Sequence, residues 1–166
     1  MVRTSALVLA GAIALLAGCA KKPAAREVET AELTGARVRS NVNVSDELKR
    51  VCAIHVGNVD RAPKFGFDES ELLASDRDIL AQVAKCVTEG PMKGRDLSLV
   101  GRADPRGESE YNMVLGGHRA DSVRDYLAKL GVGPERLTGT SRGELDAEGK
   151  DEAGFARDRR VDIALK

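Results

Sequence analysis

Tryptophan is absent, and two tyrosines and three phenylalanines bring the aromatic share to only 3%. So few rings leave no platform on which the bases of a single-stranded nucleic acid would stack. Basic and acidic side chains balance at 26 each, so the formal net charge is zero and no one-signed field gathers a polyanion. The chain offers only two histidines, His55 and His118, and no pair of closely spaced metal ligands. A P-loop, a GxGxxG fingerprint and a nucleophile elbow are likewise missing. The expectation is a protein without metal, cofactor or nucleic acid, whose ligand is recognised locally. The longest apolar stretch, Ala6 to Leu16, is too short to cross a bilayer.

The 166 residues, 42% apolar and 31% charged, suffice for a single core. Val38, Val42 and Val44 suggest a short strand. Ser45 then has the character of a helix N-cap, with Asp46 and Glu47 in the first turn and Leu48, Val51 and Cys52 on one face. The stretch Pro63 to Asp68 reads as the exit of a strand. A second helix is expected from about Asp76 to Thr88, capped by Ser75 with Asp78 as reciprocal partner and Ile79, Val83, Cys86 and Val87 as its buried stripe. Leu137 to Ser141 is a third strand candidate, and Arg142 to Ala156 reads as a long loop with one helical turn. Val161, Ile163 and Leu165 alternate with polar neighbours in a closing strand. Alternating helices and strands imply an α+β fold, a two-layer sandwich with helices packed on one face of a mixed β-sheet.

The most detailed local grammar lies between Leu97 and Leu130. Leu97 and Leu99 alternate with Ser98 and Val100 as a strand, and Asp104-Pro105-Arg106-Gly107 supplies the turn that stops it. Val123, Tyr126, Leu127 and Leu130 then repeat at helical spacing, with Gly131 placed where a helix end needs a left-handed residue. Gly101, Ala103, Asp104, Gly107, Tyr111, Asn112, Leu115, Arg119, Ala120, Val123, Tyr126, Leu127 and Gly131, with Arg159, Arg160 and Val161 further on, resemble the OmpA-like peptidoglycan-binding domain family. The resemblance reaches back to Phe65-Gly66-Phe67-Asp68 and covers about the last hundred residues. In layout the whole chain resembles the family's outer-membrane lipoproteins.

The amino-terminal segment fits that layout. Arg3 gives a positive start, Ala6 to Leu16 an apolar core, and Leu16-Ala17-Gly18-Cys19 looks like a lipobox. Residues 1–18 are therefore expected to be a lipoprotein signal peptide and Cys19 the acylated first residue. An uncleaved anchor, or a secretory signal with an incidental Cys19, are the alternatives. Ala20 leaves no aspartate at the position that the family's lipoproteins use for inner-membrane retention, so the expected place is the outer membrane, lipid-anchored, on its periplasmic side. Residues 19–37 read as a lipid anchor and flexible tether of roughly 55 to 60 Å at full extension, with a frayed helix over 26–33 as the alternative. The domain is expected to occupy 38–166. Cys52 and Cys86 remain as an even pair in an oxidising compartment, so a disulfide is expected, the alternative being two buried thiols.

For function, the resemblance implies non-catalytic binding of peptidoglycan at the diaminopimelate of its stem peptide, a ligand end bearing both an ammonium and a carboxylate. It assigns the ammonium to Asp104 and the carboxylate to Arg119, whose planar guanidinium can grip through two parallel hydrogen bonds. Backbone N–H groups at the following helix start would take a second carboxylate. Phe67 and Asp68 match the pocket wall, and Tyr111 and Asn112 an architectural role. On residue types alone Asp104 could be a turn-former, Arg119 a solvated helix charge and Phe67 an ordinary core residue. Glu108 and Glu110 sit at i and i+2 of a helix start and point apart, which disfavours a glycosidase pair, and an enzyme is not expected. The sequence departs from the family pattern at Arg102, which puts a further positive group near the expected pocket, and at Asp158, which stands where relatives have asparagine. These departures keep open an envelope adaptor whose partner is another periplasmic protein of the Tol type.

Overall fold

A computed structural model describes residues 42–56 and 65–166. The expected signal peptide, Cys19, the tether and Val38 lie outside the described residues. Strand β1 (Val42–Val44) leads into helix α1 (Asp46–Cys52), and helix α2 (Ala74–Thr88) precedes strand β2 (Leu97–Arg102). Helix α3 (Ser109–Lys129), a short 3-10 turn (Pro134–Arg136), strand β3 (Leu137–Gly143), helix α4 (Glu152–Asp158) and strand β4 (Val161–Leu165) complete the order.

The four strands form one mixed sheet in the order β1-β4-β2-β3. β1 runs parallel to β4, β4 antiparallel to β2, and β2 parallel to β3. Register aligns Leu99 with Ile163, and Ile163 with Val44, so one row of apolar side chains crosses three strands on the same face. That face is buried. Leu48 of α1, Ile79, Leu80, Val83 and Val87 of α2, and Val123 and Leu127 of α3 pack on it as one core with Val42, Leu97 and Val161. The α+β sandwich is therefore the observed architecture.

The local devices follow the sequence with three exceptions. Ser45 caps α1, its hydroxyl accepting from the Leu48 N–H at 3.4 Å. The start of α2 differs from expectation: Ser75 lies inside the helix, and Asp76, not Asp78, reaches back to accept from the Leu73 N–H at 2.7 Å. A carboxylate one turn in is favoured by the helix dipole whichever residue precedes the helix, so the cap shifts to the side chain that packing buries. Residues 65–68 are a turn and not the end of a strand: the Phe65 N–H donates to the Arg159 carbonyl at 3.0 Å and Asp68 adopts a φ of +59°. Finally, α4 makes two turns where one was expected. Asp151 caps it through the Gly154 N–H at 2.8 Å, and Asp158 at its end accepts from the Glu148 and Gly149 N–H groups at 3.2 and 2.9 Å. These bonds close a Gly- and acid-rich segment on itself.

Two features position the site. Helix α3 lies almost backbone to backbone on β2: a Cβ at Gly101 would fall 1.8 Å from the Gly116 carbonyl oxygen, and one at Gly116 would fall 2.3 Å from the Ser141 hydroxyl. Only glycine permits that approach. A disulfide joins Cys52 at the end of α1 to Cys86 in α2 with Cα atoms 5.6 Å apart, within ordinary disulfide geometry.

Candidate functional site

Strand β2 ends where the parallel pairing with β3 shifts register at Gly101/Arg102. The Ala103 N–H still donates to the Gly143 carbonyl at 2.8 Å, which carries the chain inward, so Ala103 and Asp104 are buried. Asp104 then forms a turn on its own side chain, Oδ1 accepting from the Arg106 N–H at 3.1 Å. Gly107, at φ +98°, completes the reversal into α3. Asn112 holds this loop: its amide donates to the Arg106 carbonyl at 3.0 Å and also to the Glu144 carboxylate. Hydrogen bonds from Ser109 and then Asn112 hold the Glu144 carboxyl below the usual carboxylate range.

Asp104 is 4% exposed and has two guanidinium partners. Arg106 binds it through both Nε, at 3.0 Å to Oδ1, and Nη2, at 2.8 Å to Oδ2. Arg159 Nη1 donates to the same Oδ2 at 2.9 Å. Burial alone would raise the Asp104 pKa, but the hydrogen bonds from Arg106 and Arg159 outweigh it and hold the group at about 2. Arg159 is itself fixed by the Phe65 carbonyl at 2.6 Å and Glu152 at 2.8 Å.

Arg119 is fully buried. Its guanidinium lies 4.9 Å from the centre of the Phe65 ring and donates to three backbone carbonyls: Glu69 at 2.8 Å, Arg102 at 2.8 Å and Gly66 at 3.1 Å. A guanidinium carries five N–H bonds, so one donor is left on each terminal nitrogen. Burial, and then the nearby positive charge of Arg159, lower its pKa to about 10, which still leaves it protonated at neutral pH. Arg119 is therefore not the solvated helix charge that residue type alone allowed. The three carbonyls that hold it come from the 66–69 turn and the end of β2, the strand against which the glycine contact sets α3.

Asp104 and Arg119 line the same cleft, of about 70 Å³, together with Phe67, Asp68, Arg106 and Arg159. All four residues expected in a ligand pocket are thus brought together. Phe67 stands at the rim, 64% exposed, and is no core residue; the buried ring is Phe65. Arg106 packs 4.7 Å from the Phe67 ring centre and 4.6 Å from that of Phe155. The Tyr111 hydroxyl donates to Asp68, a bond that raises its pKa. Sequence reasoning gave no role in the site to Arg106 or Arg159. The turn grammar around Asp104 hinted at Arg106, two positions on, whereas Arg159 is 55 positions away. The two departures from the family pattern lie elsewhere. Arg102 turns its side chain to Asp146 and Asp162, and Asp158 fastens the loop before α4. The positive group expected from Arg102 at the pocket is therefore not there.

The cleft thus gathers a buried anion, the buried cations Arg119 and Arg159 and an exposed aromatic ring in one small space. The OmpA family model matches residues 64–160. The chain is 31% identical to a peptidoglycan-associated lipoprotein of Haemophilus influenzae over 160 residues, 95% of each chain. It is 39% identical to a peptidoglycan-associated lipoprotein of Pseudomonas putida over 101 residues, 60% of this chain and 59% of the relative. Among solved structures, the peptidoglycan-associated lipoprotein of Burkholderia pseudomallei superposes with a TM-score of 0.57 at 36% identity, over 61% of this chain and 86% of that one. With more than half its length matched by the family model and a relative aligned nearly end to end, the chain belongs to the OmpA family.

Proposed function

We propose that this protein binds peptidoglycan without turning it over, taking the diaminopimelate end of a stem peptide into the cleft between Asp104 and Arg119. Asp104 faces the ammonium. The two remaining N–H bonds of Arg119, one on each terminal nitrogen, form the fork for the carboxylate. Phe67 and Asp68 border the ligand at the rim, and the first turn of α3, where Tyr111 and Asn112 line the same cleft, offers backbone donors to a further carboxylate. Acylated at Cys19 and tethered through 19–37, the domain at 38–166 would fasten the outer membrane, from its periplasmic side, to the wall.

The observation that carries this reading is the convergence of Asp104 and Arg119, each withdrawn from solvent, on one small cleft. A zwitterionic ligand end carries the two charges that complement this pair, an ammonium for Asp104 and a carboxylate for the free N–H bonds of Arg119. The names of the relatives support the same target. The adaptor reading rested on Arg102 and Asp158, and both point their side chains into contacts away from the cleft, so it loses its motive.

Sedimentation with insoluble sacculi tests the proposal. Purified, folded protein should pellet with sacculi at low salt and leave them undigested on a zymogram. Folded protein that stays in the supernatant would remove wall binding and return the adaptor, with a Tol-type partner, to first place; clearing of the zymogram would make the protein a hydrolase.

A further inference from the structure

The Asp104 carboxylate is already saturated. A carboxylate has about four acceptor positions, two on each oxygen. Here Oδ1 takes the Arg106 N–H and Nε, and Oδ2 takes Arg106 Nη2 and Arg159 Nη1. A ligand ammonium can reach Asp104 only by displacing one of these donors.

The four are not equally held. The Arg106 N–H belongs to the turn itself. The Arg159 side chain is 5% exposed and also grips the Phe65 carbonyl, so moving it would uncover the core. The Arg106 side chain is 38% exposed, and beyond Asp104 its partners are the exposed Phe67 ring, the Phe155 ring and the carboxylate of Glu152, itself 66% exposed at 3.2 Å. Its departure would free one position on each oxygen of Asp104 and leave Arg159 in place.

The geometry points to Arg106 as a specificity-determining residue, an internal guanidinium that occupies the ammonium subsite on Asp104 and must be displaced by the ligand. A ligand without a cationic end then cannot open the site, since removing Arg106 from Asp104 without replacement leaves a buried carboxylate half-paired. Selectivity for an ammonium-bearing ligand thus comes from the cost of exchange as well as from the contact. The inference rests on the stem-peptide reading above.

The test is calorimetric titration of the full chain, in mild detergent, with a soluble stem tripeptide ending in diaminopimelate and with the same tripeptide acetylated on its free amine. Arg106→Gln should bind the free-amine tripeptide at least about five-fold tighter than wild type, the factor that a competing exposed ion pair of roughly 1 kcal/mol imposes. It should show no such gain for the acetylated one. Equal or weaker binding of the free-amine tripeptide by Arg106→Gln, with wild type binding and Asp104→Asn impaired, overturns the role of Arg106 and spares the stem-peptide reading. An equal gain for both tripeptides also overturns it, because Arg106 would then only obstruct the cleft. No binding by wild type or by Arg106→Gln overturns both.

Discussion

Arg159 Nη1 sits 2.9 Å from Asp104 Oδ2 across 55 positions of sequence, and both side chains are almost wholly withdrawn from solvent. The pair joins the segment between α4 and β4 to the loop after β2, so an ion pair ties together two parts of the cleft's lining. Its stability must follow the charge on Asp104.

The sign can be worked out. Asp104 titrates at about 2 in the folded protein against an ordinary 3.8, so between those values the unfolded chain binds more protons than the folded one. The stabilisation is complete above about pH 4 and is lost as pH falls through about 2. Asp104→Asn should therefore be less stable than wild type at pH 7, and the gap should close as pH approaches 2. Urea midpoints measured across that range check this; a gap that stays constant would mean that Asp104 carries no paired charge in the fold.

Arg119 should behave as a structural residue as well as a ligand. Arg119→Ala strands three backbone carbonyls in a buried place and should cost about 3 to 5 kcal/mol in chemical denaturation. Arg119→Lys should recover only part of this, because an ammonium cannot match a fork directed at Glu69, Arg102 and Gly66 together. Wild-type midpoints in both variants would contradict the buried network.

Gly101→Ala should destabilise by about 3 kcal/mol, since its Cβ would collide with the backbone of α3 and neither element can yield alone. Calorimetric melting checks it. Gly117→Ala, one position beyond the contact and with open space around the new methyl, should melt no lower than wild type.

The Cys52–Cys86 bridge closes a separation of 34 residues. Removing it by Cys52→Ser with Cys86→Ser should cost up to about 4 kcal/mol in the chain-entropy model. Alkylation of unreduced, denatured protein should leave both residues unmodified, whereas two modified thiols would show the bridge absent.

How much of this was readable beforehand varies with the range of the interaction. The stripe Ile79, Val83, Cys86 and Val87 and the alternation of Val161, Ile163 and Leu165 announce their elements because burial acts on local period, and all seven but the last are buried. The start of α4 was harder: Gly- and acid-rich composition hides a helix that depends on Asp151 at one end and Asp158 at the other. In the site, Asp104, Arg119, Phe67 and Asp68 emerged through family resemblance, while residue type alone favours an exposed Arg119. What buries it is a set of carbonyls from residues 66, 69 and 102, and carbonyls leave no mark in a sequence. Arg159 escaped for a related reason, since no local pattern connects it to a carboxylate 55 positions earlier.

The function turns on whether the cleft takes the zwitterionic end of a stem peptide, and titration of wild type, Asp104→Asn and Phe67→Ala with the diaminopimelate tripeptide measures that. Wild type should bind. Asp104→Asn should lose about 2 to 5 kcal/mol of binding free energy while keeping a cooperative melt at pH 7. Phe67→Ala, altering only an exposed rim residue, should melt as wild type and bind more weakly. Equal affinity in all three folded proteins, or no heat with any of them, would contradict binding in this cleft.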